Sequence, residues 1–113
     1  MKRDVRLYLD DIQEAIERIE DYTDGRSEHQ FLDEPLLQDG VLRRLSIIGE
    51  AAKHIPKRLR DQHPEIPWQQ VAGFRDILIH EYFGIRLRNA WKVVQDDLTP
   101  LKETIRAMQR DLP

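Results

Sequence analysis

The sequence predicts an all-α protein, an up-and-down bundle of four to five helices that pairs as a homodimer. Apolar residues recur at spacings of three and four along three long stretches, which puts them on one face of a helix. Charged residues make up 35% of the chain against five Gly and six Pro, a balance that suits a helical protein better than a β-rich or disordered one. The turn-forming residues fall between the periodic stretches rather than inside them.

In the first stretch Val5, Tyr8, Ile12, Ala15, Ile19 and Tyr22 share one face. Thr23-Asp24-Gly25 ends it, with Gly25 as the C-terminal cap. Ser27-Glu28-His29-Gln30 has the form of a capping box and opens a short helical turn before Pro35. On the second long helix Val41, Leu45, Ile48, Ala52, Ile55 and Leu59 keep the spacing, and Pro56 kinks or ends it near His54. Residues 61–67 read as a loop. Trp68 to about His80 reads as one further helix, with Gly73 permitting a bend or close packing and Glu81-Tyr82-Phe83-Gly84 ending it. From Ile85 onward Leu87, Trp91, Val94, Leu98, Leu101, Ile105, Met108 and Leu112 continue the pattern, with a kink or restart at Thr99-Pro100. None of these helices can bury its stripe alone, hence the bundle.

A chain of 113 residues holds one core, so residues 1–113 are expected to form a single domain. The absence of cysteine excludes a disulfide framework, a thiol nucleophile and a thiolate zinc site. The charged start Met1-Lys2-Arg3-Asp4 has no apolar signal-like run, and no stretch is long enough to span a membrane, so a cytoplasmic location is expected. The net charge of −3 conceals an asymmetry: residues 1–42 carry −7, residues 43–92 carry +5 and residues 93–113 carry −1. Phosphate affinity follows local charge density rather than the total, so the middle of the chain is where an anionic partner would bind.

That basic region contains Arg75-Asp76-Ile77-Leu78-Ile79-His80-Glu81-Tyr82. Arginine holds a phosphate through a planar two-point contact and stays cationic, and histidine exchanges protons near neutrality. Together Arg75 and His80 suit cleavage of a phosphodiester by an adjacent hydroxyl without a metal. On a regular helix, at about 100° per residue, Arg75 and Tyr82 lie within about 20° of each other, whereas His80 lies about 140° from Arg75. The two would converge at a frayed helix end, or in a site built from two chains. Asp76, four residues before His80, is placed to orient its ring and favour its protonated form. In a twofold dimer Phe74 and Leu78, exposed on a lone chain, would be buried between subunits.

The spacing Arg-x4-His-x-Tyr resembles the signature of the HEPN superfamily, specifically its HepT-like ribonuclease toxins. The resemblance covers residues from about 41 to 101. It includes Gly49-Glu50-Ala51-Ala52-Lys53, then Pro64-x-x-Pro67-Trp68, then Ala72-Gly73-x-Arg75-Asp76-x-Leu78-x-His80-x-Tyr82-Phe83-Gly84, and Trp91. It departs at Arg86, where relatives commonly carry an acidic residue, which bears on partner choice rather than on the core chemistry. The resemblance implies a metal-independent endoribonuclease with Arg75 and His80 as catalytic residues and Asp76 in support. It also implies a minimal nucleotidyltransferase antitoxin that transfers AMP to Tyr82.

Other constellations read as bland. His29, His54 and His63 lack metal-ligand spacing and are expected at the surface or as caps. Asp10, Asp11 and Glu14 suit a solvated acidic face. No Gly-rich phosphate loop, Walker motif or Gly-x-Ser-x-Gly elbow occurs, and no metal or cofactor site is expected. The alternative to a ribonuclease is a non-catalytic helical module that binds a nucleotidyltransferase or a nucleotide.

Overall fold

Helix α1, Val5–Thr23, begins where Asp4 accepts a hydrogen bond from the backbone N–H of Arg6 at 2.9 Å, filling one of the donors that a first helical turn leaves open. The computed structural model describes residues 3–76 and 87–113. Helix α1 ends before Gly25, whose φ of 71° lies in the left-handed region that favours glycine. Its buried face is wider than the predicted stripe, because Leu9 and Ile16 are as buried as Ile12, Ala15 and Ile19.

Helix α2, Glu28–Asp33, carries the expected capping box: Gln30 N–H donates to Ser27 Oγ at 3.1 Å, and Ser27 N–H to Gln30 Oε1 at 2.8 Å. Helix α3, Pro35–Ala52, starts with proline in the first turn, where the missing N–H costs nothing. Gln38 donates to the carbonyls of Phe31 and Leu32 at 2.9 and 3.0 Å, so α3 closes the open end of α2. Pro56 acts as anticipated: α3 stops at Ala52 and a short helix α4, Lys57–Asp61, restarts after it. All six residues of the second predicted stripe, Val41 through Leu59, are buried.

Helix α5 runs only from Trp68 to Ala72, and a 3₁₀ turn over Gly73–Asp76 follows. The single helix expected from Trp68 to about His80 therefore already changes at Gly73. The about 140° angle between Arg75 and His80, which assumed a regular α-helix, does not apply across this turn. Helix α6, Leu87–Asp96, and helix α7, Leu98–Asp111, complete the described residues, which contain no strand.

The last restart also falls earlier than expected. The break is at Asp97 rather than Thr99-Pro100, and Pro100 sits in the first turn of α7, where its N–H would have no intrahelical partner in any case. Asp97 makes no side-chain capping bond. Burial raises its carboxyl pKa, with repulsion from Asp96 adding to this and Lys92 opposing it. A raised acid binds its proton more readily in the folded state, so it lowers stability as pH rises through its titration and adds none at neutral pH. Asp97→Asn is expected to raise stability at pH 7 by less than about 1 kcal/mol, since the site is partly solvated. The gain should shrink as pH falls below the carboxylate range, which denaturant melts at pH 7 and pH 3.5 would compare.

Helix α1 lies against α3 and α7, α2 packs on α3 and α6, and α5 with its 3₁₀ turn packs on α3. Leu9, Ile12, Ile16, Leu45, Ile48, Leu101 and Ile105 are fully buried at the centre of this all-α bundle. Phe74 is 5% exposed in a single chain. The expectation that it would be exposed until a second subunit covered it is overturned, because the 3₁₀ turn rotates the ring into the chain's own core.

Candidate active site

Gly49 fixes where the site lies. A Cβ at this position would fall 2.3 Å from the backbone nitrogen of Arg75, 2.9 Å from the carbonyl carbon of Phe74 and 3.0 Å from the oxygen of Ala72. Helix α3 and the 3₁₀ turn thus touch backbone to backbone, and no residue with a side chain fits between them. Two anchors hold the turn. Phe74 is buried, and Ser46 Oγ donates to the carbonyl of Arg75 at 3.4 Å. Behind them, Trp68 Nε1 donates to the carbonyls of Arg60 and His63 at 3.1 and 3.0 Å, which ties the start of α5 to the end of α4.

The guanidinium of Arg75 projects from this turn with 44% of its side chain exposed. It lies 3.6 Å from a carboxylate oxygen of Glu50 and 3.4 Å from one of Asp76. Both pairs are long and open to water, so they orient the side chain with little binding energy, and a phosphate with its two-point geometry can displace them. The other oxygen of Glu50 is 3.7 Å from His54 Nε2. One carboxylate therefore spans an arginine and a histidine.

The imidazole of His54 stacks on Tyr8, with ring centroids 4.5 Å apart and planes 8° from parallel. The Arg3 guanidinium lies 4.7 Å from the Tyr8 centroid and is bound to Asp11 at 2.8 Å. These residues, with Arg43 and Ser46, line an open cleft of about 320 Å³ that Arg75 shares. Among the described residues no group of acidic or histidine side chains could hold a metal ion, and no helix is long and apolar enough to cross a membrane.

Of the residues singled out in the sequence, Arg75 and Asp76 lie side by side on the 3₁₀ turn. His80, Tyr82, Leu78 and Arg86 lie outside the described residues. His54, expected to be a plain surface or capping residue, instead lines the cleft beside Arg75. Glu50 belongs to the Gly49–Lys53 motif, and its four-residue spacing to His54 is the sequence signal for their pairing. Tyr8, read as core stripe, turns its ring toward His54 at the edge of the bundle.

The profile of the family described as Ribonuclease HepT-like matches residues 12–108, which takes in α3, Gly49, Glu50 and the Arg75 turn together. The chain belongs to the HepT-like ribonuclease family. A Thermococcus cleftensis protein named "Probable ribonuclease HepT" is 49% identical to this HepT-like chain over 102 residues, covering 90% of the chain and 93% of that protein. A Methanocaldococcus jannaschii protein whose name joins gamma-glutamylcyclotransferase to an RNase assignment is 46% identical over 112 residues, 99% of the chain. The chain spans 50% of that relative's length. A protein of Caldanaerobacter subterraneus subsp. tengcongensis with an RNase assignment in its name is 38% identical over 101 residues, covering 89% of the chain and 90% of the relative. No solved structure matches the chain.

Proposed function

We propose that this HepT-like protein is a metal-independent endoribonuclease that cuts RNA by attack of a ribose 2′-hydroxyl on the adjacent phosphate. Arg75 binds the phosphate and stabilises the charge that builds on its oxygens, and His80 moves the proton as general acid or base. Asp76 supports this pair. The observation that carries the reading is the setting of Arg75: an exposed guanidinium on a short turn, held against α3 by a contact that only glycine allows. Catalysis by charge stabilisation needs donors that do not reorganise as the reaction proceeds, and a turn clamped backbone to backbone supplies such a mount.

The test is RNA cleavage in EDTA. The wild-type protein is expected to produce fragments ending in a 2′,3′-cyclic phosphate and a 5′-hydroxyl, and His80→Ala is expected to lose the activity. Cleavage that stops on chelation would overturn the metal-free mechanism. Wild-type protein that binds its partner but never cuts RNA would leave the alternative, a non-catalytic helical module.

The same reading makes the protein the toxin of a toxin-antitoxin pair acting in the cytoplasm as a homodimer. Its antitoxin is a minimal nucleotidyltransferase. The Tyr82 phenolic oxygen attacks the α-phosphorus of ATP, pyrophosphate leaves and AMP stays on the ring. The added phosphate competes for Arg75 and blocks access of RNA. Co-expression with the partner is expected to increase the intact mass by AMP units that map to Tyr82 and vanish in Tyr82→Phe. Full neutralisation of Tyr82→Phe by the partner would mean that binding alone silences the toxin.

A further inference from the structure

We infer that the Tyr8–His54 stack is a base-stacking subsite for single-stranded RNA and that Arg43 holds a phosphate of the same strand. This rests on the ribonuclease reading for the identity of the ligand, but the two can be separated by experiment. The first observation is geometric. Arg3 and His54 both lie within 5 Å of the Tyr8 ring centroid, so the three side chains form a layered cluster that joins the start of α1 to the turn after α3. A hydrogen bond from Arg3 to Asp11 fixes the outer layer. Asp11 holds the Arg3 end of the stack, whereas His54 is 46% exposed and faces its carboxylate neighbour Glu50 across a loose 3.7 Å, so its ring is the part of the stack available to an incoming base.

The second observation is position. His54 and Arg75 line one cleft of about 320 Å³, within the size range of small-molecule sites. Arg43, Ser46 and Glu50 follow at three- and four-residue steps along the cleft-facing side of α3, which leads toward His54. At a rise of about 1.5 Å per residue, Arg43 and Glu50 are about 10 Å apart along the axis, room for more than one nucleotide. Arg43 is exposed and makes no ion pair among the described residues, unlike Arg3 and Arg75. It can therefore meet a phosphate without first leaving a carboxylate.

The chemistry follows from these placements. A flat, pre-stacked imidazole accepts the face of any base, and such stacking tolerates sequence because every base has a π-face. With a scissile phosphate at Arg75, a flanking base would reach the exposed ring of His54 and a neighbouring phosphate would reach Arg43. The subsite would then contribute affinity and register rather than a choice among the four bases.

The test measures binding of the full chain to a fluorescent 2′-O-methyl RNA of about ten nucleotides, which spans a typical single-strand site and lacks the attacking hydroxyl. His54→Ala is expected to weaken binding about tenfold, the scale of one lost base–aromatic contact. His29→Ala on α2, outside the cleft, should bind as the wild type does. Removing one base to leave an abasic position should weaken wild-type binding by a similar factor when it falls in the subsite, with no further loss in His54→Ala. Arg43→Ala should lower the slope of log affinity against log salt by about 0.7.

Equal affinity of His54→Ala and wild type, or abasic and His54→Ala losses that multiply, would overturn the subsite. A wild type that cuts RNA while His54→Ala binds normally leaves the ribonuclease standing and removes the subsite. A wild type that binds through His54 but never cuts does the reverse. No RNA binding by the wild type would remove both.

Discussion

Gly49→Ala is expected to destabilise the protein by about 1–3 kcal/mol, against the usual trend for glycine within a helix. Alanine at an ordinary mid-helix position gains about 1 kcal/mol from propensity. Here the new methyl group would stand 2.3 Å from the backbone nitrogen of Arg75, and its nearest neighbours are backbone atoms that cannot rotate away. The clash therefore outweighs the propensity gain. Relief requires the 3₁₀ turn to move off α3, which displaces Arg75 and partly opens the pocket around Phe74. Thermal melts should show the midpoint falling by several degrees, and RNA cleavage should fall further than the stability loss explains. Gly73→Ala supplies the contrast: among the described residues a Cβ there meets nothing within 4 Å, and the φ of −66° suits alanine, so its midpoint should hold or rise. Equal midpoints for the wild type and Gly49→Ala would mean that the turn does not rest on α3.

Arg75→Ala is expected to lower RNA cleavage by about 10²–10³-fold, the usual cost of removing a group that stabilises charge in the transition state. Its stability should change little, because the side chain is 44% exposed and its contacts with Glu50 and Asp76 are long. Lysine should restore only part of the rate, since a point charge cannot reproduce the planar two-point contact. If the cleft draws on two subunits, mixing inactive Arg75→Ala and His80→Ala chains should recover some activity, whereas separate sites would stay silent. Single-turnover rates on one RNA would resolve these cases. A fully active Arg75→Ala would remove the guanidinium from the mechanism.

The helical bundle was legible because its information is local. A three- and four-residue apolar rhythm, a capping box and Gly25 each act within one turn of chain, and the buried faces of α3 and α7 follow the rhythm closely. The two boundaries that moved have tertiary causes. The stretch after Trp68 looks helical through Gly73, yet tightens to a 3₁₀ turn where Arg75 meets the bare backbone of Gly49 on another helix. Pro100 looked like the first residue of a new helix, but any position in the first turn tolerates proline, so Asp97 could serve as the boundary.

The site was legible only where its residues are neighbours in sequence. Arg75 and Asp76 stood out within one short motif. Tyr8 lies on α1 and His54, 46 positions later, in the turn after α3, and each had an adequate explanation on its own. Their meeting depends on how α1 crosses α3, which no periodicity encodes.

The arrangement of the two tryptophans makes the protein its own optical probe. Trp68 is 9% exposed with its indole N–H shared between two carbonyls beneath the Arg75 turn, while Trp91 is 8% exposed and packs on Phe31 with centroids 5.3 Å apart. One indole thus reports from a polar hydrogen-bonded mount and the other from an aromatic cluster at the α2–α6 contact. Emission from Trp91→Phe would follow the scaffold of the site alone, and emission from Trp68→Phe the far packing layer. Unfolding followed at both would reveal whether the mount loosens before the bundle does, without a label attached anywhere near the RNA.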